Sequence, residues 1–151
     1  MIETIKTEAE ISQCAEIMIS SEPWLRLGTT FAEAVATLKD PDNHTYIANT
    51  KEGPAGFVTI TLKGSLPGYI KRIAVKEEYR STQIGEKLMQ FAEELIFPIT
   101  KNVFLCVSDF NYGAVRFYNR LGYEKIGEIK DYIIPGSSEI IMRKTKGPLK
   151  M

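Results

Sequence analysis

The segment Arg80-Ser81-Thr82-Gln83-Ile84-Gly85 holds the residue types and spacing most suited to chemistry in this chain. It follows an apolar run ending at Val75 and leads directly into a long segment with helical periodicity. The first N–H groups of a helix have no partner inside it, and the helix dipole places partial positive charge there, so such a turn can hold a phosphate through several backbone hydrogen bonds. Arg80 adds a forked full charge, and Ser81 and Thr82 add hydroxyl donors. A plainer role is open on this segment alone: Ser81 or Thr82 caps the helix and Arg80 is a solvated surface charge. A second patterned stretch, from Asn111 to Tyr123, follows further along and carries Ala114, Phe117-Tyr118 and Gly122-Tyr123.

The elements that must position these residues can be read from periodicity. A short strand over Ile2-Glu3-Thr4-Ile5 leads into apolar positions Ile11, Cys14, Ala15, Met18 and Ile19, whose spacing predicts a helix over about 8–20. Ser20 to Pro23 breaks it, and after an irregular Trp24–Gly28 a second helix starts at Thr29 or Thr30, with Glu33 placed as the acid of a capping box. Tyr46–Ala48 and Gly56–Leu62 flank a cluster of turn formers and read as a hairpin. Tyr69–Val75 is a further strand in which Ile70 and Ile73 break alternation, which points to a bulge or to two buried faces. Thr82 to Phe97 is the strongest helical pattern, closed by Pro98. Val103–Val107 reads as a buried strand, Tyr112–Leu121 as a short helix stopped by Gly122, and Tyr123–Ile133 with Glu139–Arg143 as a closing strand pair. With no linker or repeat, residues 1–151 form one α/β domain with a mostly antiparallel sheet.

Composition removes several functions. Hydrophobic residues make up 44% and charged residues 25%, the balance of a packed globular fold rather than a disordered chain. Nineteen Lys and Arg against nineteen Asp and Glu leave no net positive field for a nucleic acid backbone. Cys14, Cys106 and the single His44 are too few for a disulfide scaffold or a metal cluster, so the chain reads as reduced, cytoplasmic and metal-free. No run approaches the ~18 apolar residues that span a bilayer, and the opening Met1-Ile2-Glu3-Thr4-Ile5-Lys6 is not a secretory leader.

Taken together the two patterned stretches resemble the GCN5-related N-acetyltransferase (GNAT) family. That family's acyl-CoA motif runs Arg or Gln, two variable residues, Gly, one variable residue, then Gly or Ala, and Arg80 to Gly85 follow it except at Gln83. Asn111, Ala114, Phe117-Tyr118 and Gly122-Tyr123 follow the second signature, and the order of elements agrees over nearly the whole chain. The resemblance implies a GNAT-like mixed sheet of about six or seven strands flanked by about four helices. It implies an N-acetyltransferase that uses acetyl-CoA as cosubstrate and a small-molecule or peptide amine as acceptor, by direct attack. Backbone groups of Ile73 and Val75 would bind the pantetheine arm and the thioester carbonyl, and Ala74 between them counts among the cofactor-binding residues. The amides of Arg80, Ser81, Thr82, Gln83, Ile84 and Gly85 would hold the pyrophosphate, and Asn111 would contact the cofactor arm. Tyr118 would lie near the thioester sulfur, as the general acid that protonates the departing thiolate; its alternative is an aromatic packed in the core beside Phe117.

Two departures shape the expectations. Gln83 replaces the first motif glycine, and it can serve if its φ stays negative, because its N–H remains. The positions where many family members carry a glutamate base hold Tyr69 and Cys106, and Cys106 reads as a small buried hydrophobe rather than a nucleophile. Glu22, and ordered water reached through Tyr69, remain as base candidates, while Trp24 is either a pocket wall or a core anchor. Without a positioned base, an acyl-CoA sensor or non-catalytic module is the alternative function. A homodimer through the terminal strands is compatible with the family and is not specified by these residues.

Overall fold

Reciprocal caps set the starts of the N-terminal helices. In the computed structural model, which describes residues 1–150, β1 (Ile2–Thr4) is followed by α1 (Glu8–Ile19). The Thr7 hydroxyl accepts from Glu10 N at 3.1 Å, and the Glu10 carboxylate accepts from Thr7 N at 3.0 Å. Trp24–Leu27 then makes α2, a single helical turn where the sequence predicts an irregular break; four residues are too few to show a period, and Gly28 at φ 72° ends it. Thr30 and Glu33 repeat the reciprocal cap at 3.1 and 3.0 Å and start α3 (Phe31–Lys39), as the sequence predicts.

Backbone hydrogen bonds hold the Glu10 and Glu33 carboxyls below the ordinary carboxylate range. The stability they lend is present above their unfolded-state pKa and is lost as pH falls through the lowered folded values. Thr30→Ala is expected to cost about 1 kcal/mol in urea unfolding at neutral pH, with the difference from wild type shrinking in acid; an equal midpoint at neutral pH would remove the cap from the account.

Seven strands form one sheet in the order β1-β2-β3-β4-β5-β7-β6. The hairpin is β2 (His44–Thr50) and β3 (Gly53–Thr61), and β4 (Tyr69–Val75) pairs antiparallel with β3. Arg72 lies opposite Thr59 and Ile70 opposite Ile60, so Lys71 is the extra residue of a bulge. The bulge flips the alternation, which lets Ile70 and Ile73 both pack in the same core layer. Beyond a 3-10 turn at Glu77–Tyr79 come α4 (Ile84–Ile96), β5 (Asn102–Ser108), α5 (Tyr112–Arg120), β6 (Glu124–Lys130) and β7 (Ser138–Thr145).

Both faces of the sheet are covered. α1 and α3 bury Cys14, Ala15, Met18, Ala34 and Leu38 against Ile47, Phe57 and Ala74. On the other face, α4 sets Leu88, Met89, Ala92 and Ile96 against Val58, Ile60, Ile70, Val103 and Leu105. Burial from both sides explains why β3 is buried continuously from Pro54 to Ile60 instead of alternating. Among the described residues no helix is long and apolar enough to cross a membrane.

The feature that makes a site is where the sheet stops being continuous. β4 and β5 are parallel neighbours, yet they pair only at Tyr69↔Phe104 and Ile70↔Leu105. From there β4 stays with β3, and β5 stays with β7 along its whole length. The C-terminal parts of β4 and β5 therefore diverge, and their facing edges are open to a ligand rather than to each other.

Candidate active site

A cleft of about 1120 Å³ opens where β4 and β5 part. Ile73, Ala74 and Val75 of β4 line it, as do Arg80, Ser81, Gln83, Ile84 and Gly85 of the following turn, and Asn111 and Tyr118 of α5. Residues far apart in sequence, singled out for two different patterns, thus meet in one concavity. Thr82 lies outside the lining, exposed, with its hydroxyl donating to Tyr79 O.

The turn differs from expectation in its backbone. Gln83 has φ 70° and Ser81 φ 69°, so the condition of a negative φ at Gln83 is not met. Neither Ser81 nor Thr82 caps α4; the N-cap position is Gln83, and no side chain caps it. Positive φ at Ser81 and Gln83, on either side of Thr82 and just before right-handed helix, is the kind of backbone from which nests of convergent amides are built. Each left-handed non-glycine costs roughly 1–2 kcal/mol, a strain of the kind concentrated at ligand sites. The first intrahelical bond of α4 is from Lys87 N to Gln83 O at 3.0 Å, so the amides of Ile84, Gly85 and Glu86 have no acceptor within the helix. A Cβ at Gly85 would stand 3.4 Å from Phe117 Cζ and 3.6 Å from Val75 Cγ2, ordinary contacts that an alanine would satisfy.

Arg80 is more than a solvated charge. Its Nε donates to Val75 O at 3.1 Å and its Nη2 to Ser21 Oγ at 3.1 Å, and Ser21 Oγ in turn donates to Ile17 O at 2.5 Å. The guanidinium ties the end of β4 to the end of α1, which fixes the turn against both walls of the cleft.

On α5, Asn111 Oδ1 accepts from Ala114 N at 3.4 Å and so caps the helix. Tyr118 is buried between Phe117 and Tyr123, with ring centroids 5.4 and 6.0 Å away. The core packing and the site location hold together for this residue. Burial pushes its phenol well above the ordinary tyrosine range, so the hydroxyl keeps its proton at neutral pH.

Groups outside the two patterned stretches also line the cleft. Tyr69 and Cys106, at the positions where a carboxylate is absent, both line it. Burial raises both, and the contact with the Cys106 sulfur raises Tyr69 further. Cys106 is half-buried and faces the cleft instead of being sealed in the core, and its raised pKa is that of an unreactive thiol. Glu22 and Trp24 also line the cleft, from the segment between α1 and α2. So do Arg72, Ser108 and Glu139, which sequence reading missed. Glu139 is 8% exposed, and its Oε2 accepts from Ser108 Oγ at 2.5 Å. In sequence, Ser137-Ser138-Glu139 looks like a polar strand entrance; only the pairing of Ser108 with Glu139 across β5 and β7 brings the carboxylate here. His44 is exposed and belongs to a separate cavity of about 550 Å³.

A mixed sheet whose central parallel strands part beside a strained turn and a helix N-terminus defines an α/β class with a ligand cleft between strands. Within that class the chain belongs to the acetyltransferase (GNAT) family, whose family model matches residues 9–123. The catalytic subunit NAA20 of the N-terminal acetyltransferase B complex of Arabidopsis thaliana is 30% identical over 102 residues, covering 62% of this chain and 59% of that protein. The chain thus spans less than two thirds of the plant relative's length. An N-alpha-acetyltransferase of Sulfurisphaera tokodaii is 25% identical over 130 residues, covering 68% of this chain and 78% of that one. Among solved structures, an aminoglycoside 6'-N-acetyltransferase complexed with coenzyme A shares the fold with a TM-score of 0.78 at 17% identity, covering 98% of each chain.

Proposed function

We propose that the protein is an N-acetyltransferase that moves the acetyl group of acetyl-CoA to a primary amine by direct attack. The observation that carries this reading is the parting of β4 and β5 beside the positive-φ turn at Ser81 and Gln83, with Tyr118 lining the same cleft. Acetyl-CoA supplies an activated acyl thioester at the end of a long arm that carries a diphosphate. The chain's groups suit both parts. The turn at Ser81–Gln83 and the free amides of Ile84, Gly85 and Glu86 would hold the diphosphate, and the edge of β4 at Ile73–Val75, apart from the Val75 O that Arg80 engages, would pair with the arm as a neighbouring strand would. Asn111 would contact the arm through Nδ2, because Oδ1 is engaged in capping. Tyr118 would donate its proton to the leaving sulfur.

The N-terminal acetyltransferases among the relatives support a peptide amine as acceptor, and the aminoglycoside enzyme with the same fold supports a small molecule. The proposal is tested by incubating the protein with acetyl-CoA and a panel of amines, aminoglycosides and peptides with free N-termini. Mass spectrometry is expected to find acetylated product, with coenzyme A raising the melting temperature. Stabilisation without product from any acceptor would make the protein an acyl-CoA-binding module, and absence of stabilisation would overturn both.

A further inference from the structure

The position of Glu139 is unusual for a carboxylate. β7 lies between β5 and β6, so Glu139 stands directly opposite Ser108, 31 residues away in sequence. Leu105 and Val107 of β5 and Met142 of β7 belong to the core under α4, so the alternate residues Cys106, Ser108 and Glu139 face the other side, into the cleft. Glu139 is 8% exposed and makes no ion pair among the described residues. Its Oε2 is engaged by Ser108 Oγ, which leaves Oε1 for a ligand. A buried carboxylate with no counter-charge is costly in a fold, and the cost is offset when a substrate cation completes the pair.

We propose that Glu139 binds the ammonium group of the acceptor and accepts its proton, with Ser108 orienting the carboxylate. This inference rests on the acetyltransferase reading above. The carboxylate takes one proton from the ammonium, leaving a neutral amine whose lone pair forms the C–N bond as the C–S bond breaks. Tyr118 protonates the sulfur, the second nitrogen proton restores Tyr118 through solvent, and Glu139 returns the first to water. One amide, one thiol and one released proton result. Asp109 after β5 acts on Glu139 by its charge, and the other titratable or charged groups that line the cleft around it are Tyr69 and Arg72 on β4, Cys106 on β5, Tyr132 between β6 and β7, and Glu22 after α1.

Burial and the nearby Asp109 charge raise the Glu139 carboxyl, only partly opposed by the Ser108 hydrogen bond. A raised carboxyl favours the fold at low pH and loses that contribution as pH rises through the folded pKa. Glu139→Gln is therefore expected to melt higher than wild type at pH 8, with the gap closing in acid, which also establishes that the variant folds. With the acceptor found in the panel, Glu139→Gln is expected to lower kcat on the order of 100-fold with the KM for acetyl-CoA unchanged, and to abolish the acid limb of the pH–rate profile. Carboxyl-13C-Glu NMR supplies a readout free of turnover: in coenzyme A-saturated wild type, the resonance missing from the Glu139→Gln spectrum should shift on titration with a simple alkyldiamine. A kcat within about threefold of wild type with the acid limb intact overturns Glu139 while acetyl transfer stands. A shifting resonance in a protein that acetylates nothing supports the ammonium site while the transferase reading fails. A resonance indifferent to the diamine overturns the proposal in either case.

Discussion

Tyr118→Phe is expected to lower kcat for acetyl transfer on the order of 100-fold while coenzyme A binds with unchanged affinity. The substitution removes one hydroxyl and keeps the ring, so the contacts with Phe117 and Tyr123 at 5.4 and 6.0 Å persist and the core is not reopened. Burial keeps the phenol protonated through the neutral range, so the hydroxyl enters the reaction as a donor and not as a base. The departing thiolate is the group in this chemistry that needs a proton at that end of the cleft. An interaction made only as the C–S bond breaks changes kcat and leaves ground-state affinity alone. Steady-state kinetics paired with calorimetry separate the two quantities. Unchanged turnover in the variant would return Tyr118 to a purely structural role.

Gly68→Ala is expected to be the most destabilising single-methyl change near the site, costing about 2–5 kcal/mol and lowering the melting temperature by roughly ten degrees. Gly68 has φ 86°, and a Cβ there would lie 2.6 Å from Asn102 O, 2.7 Å from Ile96 Cγ2 and 2.9 Å from Thr100 Cγ2. One of those atoms is backbone and cannot swing aside. Gly68 O also accepts from Phe104 N at 3.0 Å, next to the Tyr69↔Phe104 and Ile70↔Leu105 pairs that alone join β4 to β5. The insult therefore falls on the hinge from which the two strands diverge. Coenzyme A affinity should drop together with stability, which distinguishes this variant from Tyr118→Phe. Thermal melts within two or three degrees of wild type would show that the close approach relaxes freely.

Much of the architecture was legible because its causes are local. The Thr30–Glu33 cap, the broken alternation at Ile70 and Ile73, and the exact span Tyr69–Val75 of β4 each depend on residues within one element and its immediate flanks. α2 was not legible, since one turn of helix shows no repeat and Gly28 ends it in left-handed backbone. The start of α4 was read two residues early, at Thr82 instead of Ile84, because Ser81 and Gln83 adopt left-handed backbone that their side chains do not advertise.

Residue types and spacing alone determined the candidate cofactor turn at Arg80–Gly85, the Asn111–Tyr123 stretch and the α/β class, because each is a pattern written in contiguous residues. Tertiary structure alone decided where the sheet parts, that Arg80 ties β4 to α1, and that Glu139 stands buried against Ser108 without a counter-charge. The physical reason is register. Which residue of β7 meets which residue of β5 depends on β7 lying between β5 and β6, a pairing set by the whole sheet and its burial on both faces, so no local stretch of the chain encodes it.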